Sequence, residues 1–453
     1  MKTGRINMSS ILNSQFRIDP SLHLSDGVKV RRNMASLPFG LSTLDCCSSK
    51  IFLGNIFSRV FVKSKDFGVT YLAASDAVLA NIETEKYLSK KQASSLSYLK
   101  LQSDWILCTC SGTLGNITYT NKHFCDKIAT HDLIRIVPDD QKYKRGCLYA
   151  FLSSKYGYFQ ITQSQFGGVV KHINAQQAGN ILVPNFPSDF QERIDSLIQD
   201  SARLREEATD ALNQAVDYFN KLYPIDCNLT KTFCLGVNNL KLGFAAYNNN
   251  LEVDAFVNQY KDKSYTLSSR APKIFAPPLF KHIYLSKDNG YPFMTGSELT
   301  KYNLRYYKWL SPRGVKDIND YVVKKGTLLL YKSGTTDGGI LGNTFIADKK
   351  LDGCCLSDHV IRISFTDDKE AYWAFAFLRS MGGVKMLQRL ATGTMIPFIT
   401  PDRVSNLLIP EHDDNYEYIV GLISKYIDLT SLSKEKEDTA ITLVEKEIDK
   451  WNN

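Results

Sequence analysis

The chain has 453 residues, of which 43% are hydrophobic and 23% charged, with a formal net charge of +8. These are the proportions of an ordinary soluble globular protein, and the length allows about two to four domains. No run of about 18 apolar residues occurs, which argues against a transmembrane helix, and the opening Met1-Lys2-Thr3-Gly4-Arg5-Ile6-Asn7 has no apolar core of the kind a secretion signal needs, so a cytoplasmic protein with no membrane partner is expected.

Residues 1–15 read as a loose leader or a terminal strap. Residues 16–186 read as a globular domain with short β-type runs (Ile51-Phe52-Leu53, Val60-Phe61-Val62, Trp105-Ile106-Leu107 and Leu133 to Val137), separated by Gly and Asp/Asn turns. Helical stretches such as Leu148 to Leu152 intervene, which makes the domain α+β. Pro184 and Pro187 then punctuate a boundary. Ser188 or Asp189 caps a long amphipathic helix with a coiled-coil-like seam, expected over 187–223. Residues 224–249 read as a polar, Asn-rich linker. Residues 250–411 read as a second α+β domain, and 412–453 as a second long helix with Ile419, Val420, Ile423, Ile427, Leu443, Val444 and Ile448 apolar.

The second half repeats the first. Ser64-Lys65-Asp66 returns as Ser286-Lys287-Asp288, and Ser111-Gly112-Thr113 as Ser333-Gly334-Thr335, both at an offset of 222 residues. Lys50-Ile51-Phe52 matches Lys273-Ile274-Phe275, Ile134-Arg135-Ile136 matches Ile361-Arg362-Ile363, and Ile181 to Pro184 matches Leu407 to Pro410. Leu251-Glu252-Val253-Asp254 also echoes Phe16-Arg17-Ile18-Asp19. Ordered islands at a long, nearly fixed spacing indicate a duplicated domain rather than a solenoid unit. The expected fold is therefore α+β with two tandem repeated domains, separated and followed by long helices that form an antiparallel coiled coil with pseudo-two-fold symmetry, a form suited to a pseudo-symmetric partner such as duplex DNA. Thirty-five helical residues span roughly 50 Å, on the order of 15 base pairs.

Charge is segregated along this plan. Residues 188–223 carry net −4 and residues 411–453 net −6, so the remainder carries +18. Basic globules alternating with acidic helices suit phosphate neutralisation by the globules.

Catalytic signatures are missing. There is no phosphate-binding G-x-x-x-x-G-K-[ST] loop, no G-x-S-x-G elbow and no H-E-x-x-H, and the seven His residues show no partner pattern. Ala276-Pro277-Pro278-Leu279 lacks the polar residue an adenine amino-methyltransferase motif needs. Ser333 to Gly339 lacks the Lys-Ser/Thr that would complete a phosphate cradle. Ten cysteines stand at no framework spacing, and Cys108-x-Cys110, with Cys125 and Cys147 downstream, lacks the second CxxC-type pair of a structural zinc site; free thiols and no metal are expected.

In its order of domain, long helix, domain, long helix, the chain resembles the specificity (S) subunits of type I restriction–modification systems. The resemblance is carried by the Ser-Gly-Thr turn after a hydrophobic strand in each copy, by a Gly-rich turn leading to an apolar-Pro strand end (Gly167-Gly168 to Val183-Pro184; Gly393-Thr394 to Ile409-Pro410), and by Phe190-Gln191 at the opening of the first helix. The second helix opens Asp413-Asp414-Asn415-Tyr416 without the Gln, a departure from that pattern. The resemblance implies a non-catalytic subunit with no cofactor of its own. Residues 16–186 and 250–411 would be target-recognition domains, each reading half of a bipartite target in double-stranded DNA. The helices would set the gap and dock two methyltransferase subunits that hold S-adenosylmethionine, and motor-nuclease subunits can join.

Basic or polar residues in turns are the candidate DNA contacts: Lys63, Lys65, Ser111, Thr113, Lys155, Lys171 and His172 in the first copy, and Lys287, Arg305, Lys308, Lys332, Ser333, Thr335 and Arg389 in the second. Arg135 and Arg362 sit inside strand patterns and read as structural. The alternatives are a DNA-specificity module of another defence or modification system, a protein-binding scaffold with no DNA role, and a fused enzyme, which the missing motifs argue against. Recognition loops that differ between the copies, such as 336–342, imply half-sites of different sequence.

Overall fold

In the computed structural model the described residues are 5–451, apart from 14–15, 17, 19–22, 25, 80–81, 83, 85, 164–170, 227–233, 235, 237–242, 244, 300, 303–307, 335–339 and 394. They divide into two compact units. One comprises Met1–Glu206, Lys301–Asn303 and Leu432–Asn453; the other comprises Glu207–Thr300 and Leu304–Ser431.

The expected long helices form over Ser188–Leu222 and Tyr416–Asp449. The first has no Gly or Pro within it, and each has an acid in its first turn (Asp189, Glu417) and a lysine in its last (Lys221, Lys446), which complements the helix dipole. Each helix contributes to both units: the first changes unit after Glu206, and the second after Ser431.

The strands of the first unit are β1 (Leu41–Thr43), β2 (Ser48–Phe52), β3 (Phe61–Val62), β4 (Gly68–Leu72), β5 (Tyr87–Ser89), β6 (Ile106–Thr109), β7 (Ile117–Tyr119), β8 (Ile128–Ala129), β9 (Leu133–Pro138) and β10 (Leu182–Pro184). They build sheets of order β2-β9-β6-β7, β3-β5-β4-β8 and β1-β10. In the second unit the strands are β11 (Ser264–Thr266), β12 (Lys273–Phe275), β13 (Tyr284–Leu285), β14 (Tyr291–Met294), β15 (Lys308–Leu310), β16 (Leu328–Tyr331), β17 (Thr344–Ile346), β18 (Cys355–Leu356), β19 (Val360–Ser364) and β20 (Leu408–Pro410). Their orders are β12-β19-β16-β17, β13-β15-β14-β18 and β11-β20, strand for strand the same plan. In both, the second four-stranded sheet has one parallel pair, β4 with β8 and β14 with β18.

Period-two alternation explains why the central strands read as continuous apolar runs. In the first unit Ile106, Cys108, Ile134 and Ile136 face the helices, together with Leu148, Phe151, Ile194, Ile198, Ile441 and Val444. The alternate residues Leu107 and Leu133 join Leu72, Phe124 and Ala129 on the other face. In the second unit Leu328, Leu330, Ile361 and Ile363 meet Phe377, Phe219, Ile419 and Ile423, while Leu329 and Val360 join Met294 and Leu356. Each fully buried aliphatic side chain contributes about 1.5–3 kcal/mol.

The long helices complete both cores. In the first unit Phe39 meets both Phe186, just before the first helix (5.4 Å), and Trp451, just after the second (6.5 Å), while Ser201 and Ser433 hydroxyls lie 2.9 Å apart. Rising numbers on one helix therefore meet falling numbers on the other, and the two segments run antiparallel. The second unit has the same sense, with Tyr418 bonding to Gln214 and Asp413 to Tyr218. In the first unit Arg205 and Glu437 form a buried ion pair. Side chains lean toward the N-terminus of their helix, so on antiparallel helices these two lean toward each other. Tyr149 donates to Glu437 at 2.5 Å, and Arg205 donates to the Tyr302 carbonyl at 2.9 Å while lying 3.7 Å from its ring centroid. Tyr302 is held by its own N–H on the Val78 carbonyl, so residues 301–302 are built into the first unit.

Two sequence expectations are corrected. The segment Leu251–Asn258 is a helix, and its counterpart by packing is the helix Asp26–Met34, not Phe16 to Asp19: Asp26–Met34 lies on Lys155–Gln163 as Leu251–Asn258 lies on Met381–Arg389. Four similar residues were too few to fix that alignment. The end of the expected linker also belongs to the second unit, where buried Asn248 donates to the carbonyls of Arg389 (2.6 Å) and Ala391 (2.9 Å).

Paired helices meet at a tight corner in both units. Ser154 and Ser380 hydroxyls cap the following helix, donating to Phe151 and Phe377 carbonyls at 2.6 Å and accepting from Gly157 and Gly383. A Cβ on Gly157 would come within 2.5 Å of the Phe151 carbonyl oxygen, and one on Gly383 within 2.3 Å of that of Phe377. Gly421, exposed within the second long helix, has open space around it: a Cβ there would meet nothing within 4 Å. Gly383→Ala is therefore expected to destabilise by about 1–3 kcal/mol through backbone displacement, and Gly421→Ala to stabilise by about 0.5–1 kcal/mol. Urea midpoints of the two variants should move in opposite directions.

Candidate nucleic-acid interface

At the end of β6 the chain turns through Ser111-Gly112-Thr113. Gly112 has φ +70, a left-handed conformation that favours glycine, and its N–H donates to the Lys171 carbonyl at 3.2 Å. Ser111 and His172 pair in an antiparallel bridge, and Thr109 Oγ1 donates to the Thr113 carbonyl at 2.6 Å. Four of the expected contact residues, Ser111, Thr113, Lys171 and His172, thus come together. The turn after β16 is built alike: Gly334 has φ +151 and donates to the Pro397 carbonyl at 3.2 Å, and Ser333 pairs with Phe398. Lys332, half-buried, immediately precedes it; Thr335 and Arg305 lie outside the described residues.

The repeated Ser-Lys-Asp island is a second shared turn. Ser64 Oγ accepts from Asp66 N–H at 3.1 Å and starts the 3₁₀ turn Lys65–Phe67; Ser286 precedes the matching turn Lys287–Asn289, and Asn289 donates to its hydroxyl at 2.9 Å. Lys63, Lys65 and Lys287 are exposed. The first turn and the edge strands beside both turns expose large apolar side chains: Phe67 in the turn is 69% exposed, Phe61 on β3 49% and Tyr284 on β13 44%. Lys308, on β15, lies 5.8 Å from the Tyr284 ring centroid and 3.9 Å from Glu298. Basic groups beside exposed rings suit a surface that meets phosphates and bases.

In the first unit contacts connect the Ser111 turn to the edge strand. Cys110 N–H donates to the Asp132 carbonyl at 3.4 Å; the neighbouring His131 ring is 6.1 Å from Phe57; Arg59 Nε donates to Tyr71 Oη at 2.7 Å; and Tyr71 meets Phe61 at 5.6 Å. Arg59, Asp132 and His359 adjoin these turns but are not among the residues expected from the sequence. Tracking the repeat would have found the last two: its offset grows from 222 at Ser111/Ser333 to 227 at Arg135/Arg362, which aligns Asp132 with His359.

Two expected contacts have other partners. Lys155 Nζ holds Asp449 at 2.9 Å, and Arg389 Nη1 holds Asp254 at 2.7 Å, so both cations tie helices within their own unit. Cys108, Cys110 and Cys147 are buried, and burial pushes each thiol up to about 12, so all three rest as protonated thiols near neutrality.

Arg135 and Arg362 are structural. Each donates to the carbonyls two, five and six residues earlier: Leu133, Thr130 and Ala129 for Arg135, and Val360, Ser357 and Leu356 for Arg362. Burial lowers both guanidinium groups to about 10, so they remain charged near neutrality. Arg135→Met or Arg362→Met leaves three carbonyls unpaired and should cost about 3–5 kcal/mol; Lys287→Ala should stay within about 0.5 kcal/mol. Denaturant titration of the three variants checks the contrast.

No protein-family model matches the chain, and no curated protein matches it. Solved structures do. The S subunit of a type I restriction–modification system from M. genitalium aligns at 12% identity and TM-score 0.30, over 91% of this chain and 94% of that one. The HsdS subunit from Thermoanaerobacter tengcongensis aligns at 15% identity and TM-score 0.28, over 91% and 96%. A structure described as the basis of complex assembly and conformational transition of the type I system aligns at 14% identity and TM-score 0.29, over 92% and 98%.

Proposed function

We propose that this chain is the non-catalytic DNA-specificity subunit of a type I restriction–modification system. The observation that carries the reading is the same turn built twice: a Ser-Gly corner after a central buried strand, bonded to the segment that leads into the last short strand, in each of two units with one strand plan. Each unit is a target-recognition domain for one half of a bipartite target. The long helices form an antiparallel coiled coil that fixes the gap between the readers and docks two methyltransferase subunits, which hold S-adenosylmethionine. A motor-nuclease subunit can join them, and the complex works in the cytoplasm. The excess of positive charge outside the helices supports phosphate neutralisation by the globules, as does the exposure of Lys63, Lys65 and Lys287.

The reading is tested by incubating the chain with labelled S-adenosylmethionine and DNA, alone and assembled with type I methyltransferase subunits. Methyl transfer by the chain alone, or no salt-dependent DNA binding in either state, overturns it. DNA affinity is expected to fall steeply with salt. Lys287→Ala and Lys332→Ala should weaken binding to all sequences by similar factors and reduce the salt slope by about one each; Lys155→Ala, whose partner is Asp449, should leave the slope unchanged. Binding titrations at several salt concentrations separate the two groups.

The helices also act as a ruler in this reading. Inserting four residues after Ala208 lengthens one arm by roughly 6 Å while nearly preserving the apolar stripe. The preferred gap should shift by about one or two base pairs with both half-site sequences unchanged. A balancing insertion near Glu437 restores the seam. Methylation-site mapping of the reconstituted complex reads the gap, and an unchanged gap in a folded, active variant removes the ruler.

A further inference from the structure

At one shared position the two units carry residues of opposite character. Asp132 and His359 each stand immediately before the central strand, ahead of Leu133 and Val360. The carbonyl of each accepts from the residue before the Ser-Gly turn: Cys110 N–H to Asp132 at 3.4 Å, Lys332 N–H to His359 at 2.9 Å. Behind each, a buried arginine holds the loop carbonyls at identical offsets. The two side chains therefore leave the same place on the same scaffold. His359 is exposed, with Nδ1 2.9 Å from Ser333 Oγ, and the Asp132 side chain is 38% exposed, with one oxygen 3.6 Å from His131 Nε2. Among the described residues neither Asp132 Oδ1 nor His359 Nε2 has a further protein partner.

A carboxylate beside DNA is repelled by phosphate and lowers non-specific affinity. Its useful contact is with a base edge, where it accepts from an exocyclic amine. With the Ser333 hydroxyl donating to Nδ1, one of the two senses this bond allows, the His359 imidazole carries its proton on Nε2 and offers a donor instead. Resting on the DNA-specificity reading, we infer that Asp132 selects an exocyclic amine, cytosine N4 or adenine N6, at one position of the half-site read by the first unit, and that His359 meets an acceptor edge at the corresponding position of the other half-site. The two half-sites thus differ at matched positions because one scaffold presents an acceptor and the other a donor.

The test selects from a pool of randomised DNA duplexes with the full chain assembled with its methyltransferase subunits, and compares it with Asp132→Asn and His359→Gln. Asp132→Asn keeps the shape and adds a donor, so discrimination at one position of one half-site should relax roughly tenfold, with the other half-site and the gap unchanged. His359→Gln should alter only the other half-site. Unchanged base preferences in an Asp132→Asn variant that melts like the parent overturn the inference while the DNA-specificity reading stands. Should Asp132→Asn fail to fold, His359→Gln decides alone: a change confined to the other half-site supports the inference, and no change overturns it. A parent complex that enriches no sequence refutes the DNA-specificity reading itself, and the inference with it.

Discussion

Arg135 and Arg362 place a permanent charge at the centre of each unit and surround it with carbonyl oxygens of the loop that precedes the strand. Removing a guanidinium from water is costly, and three carbonyl acceptors offset that cost only if the loop keeps one conformation. The loop's geometry is thereby bound to the sheet. The Ser-Gly corners follow from this: the carbonyls of Asp132 and His359 are fixed where Cys110 and Lys332, the residues before those turns, bond to them, and the turns in turn bond to the segments through Lys171 and Pro397. Side chains on such a frame can change without moving it. That is the condition under which one architecture could read two different sequences.

The helical part of the molecule rests on a different principle. Apolar stripes on the long helices are shared out, so that each unit's core contains a stretch of both. Polar groups are embedded in these seams at chosen points. Ser201 and Ser433 bond across one, and Arg205, Glu437 and Tyr149 form a buried network beside it. Burial pushes the Tyr149 hydroxyl well above its ordinary range, so it stays a donor to Glu437. A slip of either helix would leave these groups unpaired in an apolar setting, and such penalties define register more sharply than aliphatic contacts do.

Much of this was legible in the sequence because the signals were long. The uninterrupted periodicity from Ser188 onward implied a helix ending within a residue of Leu222, and the apolar run at Leu133 implied a strand that begins there. The structural reading of Arg135 and Arg362 followed from their place inside apolar runs. Short signals did less well. The four-residue echo at Leu251 pointed to the wrong segment, since the true counterpart Asp26–Met34 shares packing but little sequence. Charge alone could not tell a cation facing solvent from one committed to a carboxylate on a distant helix, which is why Lys155 and Arg389 were grouped with Lys65. Asp132 carries no local signal of its own; only the lengthened repeat offset aligns it with His359.

The way the first unit is closed has a consequence for biogenesis. Its core needs Ala440, Ile441, Val444 and Ile448, which lie some three hundred residues beyond its sheets' last central strand at Leu133–Pro138. At about 5–20 residues per second, the ribosome takes on the order of 15–60 s to supply them. During that interval the nascent first unit presents an open apolar flank while the second is still being made. A finished neighbouring chain carries the same segment, so insertion of its helix into the open flank would compete with correct closure. Closure of the first unit is on this account sensitive to chain concentration and synthesis rate, not only to the stability of the finished fold.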